Sequence, residues 1–233
     1  MRKTLILFVF FTNILAGQVY MKLGVAAGPL FSWPSGSSKL SGDFFGVTRA
    51  SYHGGICNTI QFGEHFFGKV AANYSRQIFS IRQTKNPGYR TNIDLNFSRL
   101  ELPISFGLSG FFGTLRHREY IGMAISSKIR NKESIDVSGD SSADYKATFE
   151  NIRVSPAFLV FLAGFEIGTT FKNDASLYFG GSIRLGKRNV YSGQLSTSIF
   201  QDQYPEYKGT YASFELTYYL PRYSYWIKKE FTY

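Results

Sequence analysis

Thr210-Tyr-Ala-Ser-Phe-Glu-Leu-Thr-Tyr-Tyr-Leu220 decides the fold of this chain. Ala212, Phe214, Leu216, Tyr218 and Leu220 share one face of an extended strand, and Tyr211, Ser213, Glu215, Thr217 and Tyr219 share the other. One face is apolar and the other carries polar groups and a carboxylate. Two closed sheets alternate in this way: a soluble calyx, with the apolar face turned inward, and a transmembrane barrel, with it turned out to lipid.

The same alternation recurs along the chain and predicts about eight strands: Val19–Gly28, Tyr52–Phe62, Phe66–Gln83, Ile93–Phe106, Glu119–Arg130, Thr148–Phe171, Ala175–Gly186 and Thr210–Leu220. Connectors alternate between two kinds. Gly63–His65, Gly107–Arg118 and Lys172–Asp174 are compact, whereas Pro29–Ser51, Thr84–Asn92, Asn131–Ala147 and Lys187–Gly209 are longer and polar. Strands running up and down through a membrane produce this order, with short turns on the periplasmic side and long loops outside. A β-sandwich has no reason to keep it. The expected fold is therefore all-β, a closed antiparallel up-and-down transmembrane barrel of about eight strands.

Met1–Gly17 opens with Arg2 and Lys3, continues through apolar Leu5–Phe11 and closes on Ala16 and Gly17, which reads as a signal peptide. The expected layout is thus a leader over 1–17, a barrel over 18–220, and a C-terminal tail or further strand over 221–233. No later segment is apolar for long enough to form a membrane helix, and the mean hydropathy is −0.12. Cys57 is the single cysteine, so no intramolecular disulfide staples the chain. The formal charge is +10, or +8 once Arg2 and Lys3 leave with the leader. For an exported chain that excess points to anionic lipid or polysaccharide and away from nucleic acid, unless it is only solvated loop charge.

Phasing turns Leu100, Leu102, Ile104 and Phe106 toward lipid. Lys22, Lys69, Arg99, Glu101, Glu166, Arg184 and Glu215 then point inward, beside Gly24, Ala71, Gly122, Gly168 and Gly180. Eight strands enclose just enough room for side chains, so the expected interior is a packed polar plug; a narrow conduit or ligand site is the alternative. Tyr20, Tyr74, Tyr120, Phe179, Tyr218 and Tyr219 suit membrane-interface girdles. Pro103 and Pro156 fall within strands and call for a bulge or break. Thr148–Phe171 exceeds a single crossing, and either projects beyond the membrane or folds an extra hairpin.

Chemistry is sparsely signalled. Ser51 and His53 share a strand face, with Asp43 and Asp94 as distant third members, but Ser and His at that spacing arise readily by chance. His65 and His117 fall in turns, and Cys57 has no cysteine partner at ligand spacing, so no metal, cofactor or catalytic site is expected. Function falls to the outer loops. Trp33 and Phe44 in the first and Tyr204 in the last either anchor a partner or fold back over the mouth, and Lys187 and Arg188 sit at head-group level, where lipopolysaccharide phosphates lie.

Arg99-Leu-Glu-Leu-Pro-Ile104 resembles the "LEIP" strand of the porin-like or PorT-like outer-membrane β-barrel family common in Bacteroidetes. The leader ending before Gln18, the stretch Asp174–Gly186 and the closing strand Tyr211–Leu220 are similar to that family too, whereas a tail after Pro221 departs from it. The resemblance implies residence in the cell outer membrane and a barrel of about eight strands. Some relatives assist protein secretion. The combined expectation is a monomeric, non-enzymatic outer-membrane barrel, structural or binding an envelope protein through its loops, with a narrow diffusion porin or secretion-accessory subunit as alternatives.

Overall fold

A computed structural model describes residues 19–32, 44–83, 90–138, 147–187, 189–197 and 204–221. The leader and the tail beyond Pro221 lie outside the described residues. Eleven strands occur among the described residues: β1 (Val19–Ser32), β2 (Phe44–Phe62), β3 (Phe66–Gln83), β4 (Arg90–Phe112), β5 (Leu115–Ser138), β6 (Ala147–Val154), β7 (Ala157–Thr170), β8 (Ser176–Gly186), β9 (Tyr191–Thr197), β10 (Glu206–Tyr207) and β11 (Tyr211–Tyr219). Eight of them, β1, β2, β3, β4, β5, β7, β8 and β11, pair antiparallel in chain order, and β11 closes on β1. The other three form a small sheet in the order β10-β9-β6.

Register fixes the geometry of closure. The paired row Tyr20, Gln61, Phe67, Gly107, Tyr120, Gly164, Ser182 and Ser213 returns to β1 at Leu30, ten residues beyond its start. A stagger of this size over eight strands tilts each strand by about 40° from the barrel axis.

Exposure decides between the calyx and the membrane barrel. Leu100, Leu102, Phe214 and Leu216 are 42–53% exposed, while Arg99, Glu101 and Glu215 are at most 5% exposed. The apolar face is the outer face. On β4 it runs unbroken through Leu100, Leu102, Ile104, Phe106 and Leu108, about 20 Å along the axis at this tilt. Exposed Phe111 and Phe112 extend it at the turn below. This belt matches a bilayer's hydrocarbon layer, and in water it would be a very large apolar patch.

Several expectations need correction. Gly107–Arg118 is not a connector, because alternation continues on both sides to a two-residue turn at Gly113-Thr114. Gly113, with φ of 62°, supplies the left-handed first position that a type II′ hairpin favours. Phe44–Ser51 and Asn131–Ser138, assigned to loops, are strand, so the wall rises past the belt. Thr148–Phe171 breaks at Ser155-Pro156, as a proline there requires, and its first part leaves the barrel as β6 to pair with β9. Pro103 keeps its register with β5, but its pairing with β3 lapses between Val70/Ile104 and Asn73/Glu101, which is the local break a proline calls for. Tyr120 and Tyr219 are enclosed at 7% and 0% exposure and are not girdle residues, whereas Tyr74, Phe179 and Tyr218 face outward.

Leu216 lies mid-belt, so Leu216→Arg should destabilise the vesicle-inserted protein by about 2–4 kcal/mol in urea titration. A surface leucine bathed in water would tolerate the change within about 0.5 kcal/mol.

Candidate functional site: the barrel interior and its mouth

The inward positions stack in layers from the short turns to the long loops. At the turn end Lys22 Nζ donates to Ser176 Oγ at 2.5 Å and to the Asp174 carbonyl at 2.7 Å. Above it the Arg118 guanidinium lies 4.4 Å from the Tyr178 ring centroid and 5.3 Å from that of Tyr219, with those two rings edge-to-face at 5.6 Å. Small residues make room for the rings. A Cβ on Gly24 would come within 2.7 Å of Tyr219, and one on Gly168 within 2.6 Å of Tyr178.

The central layer joins three strands through one ammonium group. Lys69 on β3 bonds Glu166 on β7 and, at 2.9 Å, Glu215 on β11. Arg118 approaches the second oxygen of Glu166 at 3.6 Å. One layer higher, Glu101 on β4 accepts from Tyr211, from Ser126 at 3.3 Å and from Gln77 at 3.4 Å, with Arg184 at 3.7 Å. Arg184 also donates to Ser213 at 2.9 Å. A gap lined by Lys69, Asn73, Pro103, Arg184 and Glu215 measures about 20 Å³, roughly the space of one water.

Lys22, Lys69, Arg99, Arg118 and Arg184 are buried against only three described carboxylates, Glu101, Glu166 and Glu215. Aromatic faces offset the excess. Arg99 has no hydrogen-bond acceptor among the described residues, and its guanidinium instead lies 4.4 Å from the Phe158 ring centroid and 5.8 Å from that of Phe97. Arg184 takes the face of Tyr211 at 5.1 Å.

Above Arg99 the interior turns apolar, which differs from a plug that is polar throughout. Leu30, Phe79, Ile81, Leu95 and Phe97 point inward and are fully buried. The small outer sheet fills the space between them. Tyr207 of β10 stacks on Phe79 at 5.4 Å and on Phe97 at 6.0 Å, and Tyr191 of β9 meets Phe97 at 5.4 Å. The Tyr207 hydroxyl lies 3.4 Å from Gln77 Oε1 and 3.2 Å from the Thr210 carbonyl, and burial pushes its pKa up, so it stays a neutral donor. Gly209, with φ of 73°, turns the chain down into β11 where a Cβ would meet Phe158 at 2.7 Å.

All seven charged residues assigned to the interior are enclosed: Lys22, Lys69, Arg99, Glu101, Glu166, Arg184 and Glu215. Of the loop candidates, Trp33 and Arg188 lie outside the described residues, Phe44 opens β2, and Tyr204 and Lys187 are exposed. Ser51 and His53 do not meet. Ser51 donates to the Arg76 carbonyl, while His53 donates from Nε2 to the Phe214 carbonyl at 3.2 Å. The sequence reading missed Arg118, which sat inside a presumed connector, and the cork of Tyr191 and Tyr207, which sat inside a presumed loop. Tyr191 and Leu195 within Lys187–Gly209 carried a spacing that signals a strand.

A scan of protein-family models and a search of curated proteins found no match. Among solved structures, the outer membrane protein OprG from Pseudomonas aeruginosa superposes with a TM-score of 0.54 at 7% identity, covering 88% of this chain and 98% of that one. The translocator domain of autotransporter NalP from Neisseria meningitidis gives a TM-score of 0.33 at 11% identity, over 94% and 93% of the two chains. The likeness to OprG shows the fold: this chain folds as an outer-membrane β-barrel.

Lys69→Met should cost about 3–5 kcal/mol, because it leaves Glu166 and Glu215 facing each other without their shared cation. The triple change Lys69→Met, Glu166→Gln, Glu215→Gln should recover most of that loss in the same urea titration.

Proposed function

We propose that this chain is a monomeric, non-enzymatic protein of the cell outer membrane, with a closed interior, that works structurally or by binding an envelope protein through its outer end. The observation that carries the reading is the aromatic cork of Tyr191 and Tyr207 above the ion-paired layer of Lys69, Glu166 and Glu215. Two independent seals, one apolar and one ionic, cross the lumen among the described residues. They weigh against the diffusion-porin reading.

Outer-membrane residence is supported by the belt and by the fold, since closed antiparallel barrels with an apolar exterior belong to that membrane. Acyl chains would surround Leu100–Leu108 and its neighbours, and lipopolysaccharide would supply the outer leaflet. The strand Arg99–Ile104 and the closing strand support placement among the PorT-like barrels, where a role in protein secretion is one known outcome. The engagement of Ser51 and His53 with backbone carbonyls supports the non-enzymatic reading.

Planar-bilayer recording tests the closed interior. The purified protein should carry no steady ion current at any holding potential; a stable ohmic conductance would replace this reading with the porin.

A further inference from the structure

The outer face carries a cationic row that the interior network does not use. Pairing across four strands places Tyr52, Arg76, Ser98 and Arg130 side by side. Arg76 and Arg130 are exposed and flank Ser98, with their Cα atoms about 10 Å apart across two strand spacings. The adjacent row toward the turns holds Tyr74, Leu100 and Ser127, where Leu100 is the last residue of the β4 apolar series. The two arginines thus stand one step beyond the hydrocarbon belt, at head-group depth.

Among the described residues, little on this face competes for their charge. Arg76 donates to the neutral Asn96 Oδ1 at 3.2 Å. Asp94, the nearby described carboxylate, is engaged by Ser80 and lies 3.7 Å from Arg49. The Ser98 hydroxyl is held by Tyr74 at 2.8 Å, which keeps a neutral polar group between the two guanidinium groups. Guanidinium forks match phosphate oxygens in pairs, and two forks on either side of a hydroxyl match one phosphate group.

We propose that Arg76, Ser98 and Arg130 form a clamp for the phosphate of an outer-leaflet glycolipid, whose acyl chains lie on the Leu100–Phe106 strip below. This rests on the membrane-spanning reading. A lipid is the occupant because the clamp continues without a gap into the belt, so that one molecule bearing both a phosphate and acyl chains covers both. A soluble phosphate would engage only the upper half.

The experiment compares wild type, the double variant Arg76→Gln, Arg130→Gln, and Lys172→Gln, which removes a cation at the opposite rim. Each is the purified, full-length protein in detergent, titrated with phosphorylated lipid A and, separately, with its phosphate-free analogue and with inorganic phosphate. The double variant should bind phosphorylated lipid A about 10- to 100-fold more weakly than wild type. Lys172→Gln should match wild type, and the phosphate-free analogue should bind all three proteins alike. Equal binding by wild type and the double variant, an equal loss in Lys172→Gln, or saturable inorganic phosphate binding without lipid A binding would overturn the proposal. Heat-modifiable gel migration and protease protection in vesicles, read on the same samples, report on the barrel itself: a wall that does not insert overturns the parent reading and the clamp with it, whereas an inserted wall without selectivity overturns the clamp alone.

Discussion

Backbone hydrogen bonding in a medium without water is the constraint on which this structure depends. Each amide and carbonyl in the hydrocarbon layer needs a partner within the protein, and a sheet meets that demand only by closing. The return of β11 to β1, with a stagger of ten residues from Tyr20 to Leu30, removes every edge from the wall. Alternation then follows from closure. With one side of each strand given to lipid, the charge within the belt's depth is enclosed, except at the turn-side edge, where Glu119 faces outward beside Leu108 and Phe165.

Enclosure creates a second problem, which the side chains solve in layers. An ion inside a dry lumen is expensive unless paired, so Lys69 holds two carboxylates from different strands and Glu101 collects Tyr211, Ser126, Gln77 and Arg184. Where carboxylates run out, aromatic faces serve: Phe158 for Arg99, and Tyr178 and Tyr219 for Arg118. These contacts join β3 to β7 and β11, and β4 to β8 and β11, across the lumen. Strand order and stagger bring these residues face to face, and the contacts satisfy the charges enclosed there.

The wall was legible in the sequence because a period of two with one apolar face survives any uncertainty at strand ends. Arg99 through Phe106 shows this, since every residue there faces the side its parity assigns. Strand ends were not legible: Gly107–Arg118 is rich in Gly and Phe, and only Gly113 among its glycines has a positive φ. The outer sheet was hidden for another reason. β6, β9 and β10 are short, β6 lies far from the other two in the chain, and Tyr191 of β9 and Tyr207 of β10 pack on Phe79 and Phe97, so the sheet depends on contacts that local spacing does not encode. The interior ions could be assigned to a side but not to partners, because pairing across a lumen depends on stagger.

Lipid contact along one strand tests the assignment of sides most directly. In a Cys57→Ala background, single cysteines at 99 through 106 would be labelled with a fluorophore, in unfolded protein before reconstitution, and exposed to vesicles of brominated phospholipid. The account predicts strong quenching at 100, 102, 104 and 106, and weak quenching at 99, 101, 103 and 105. Uniform quenching, or the opposite parity, would contradict it.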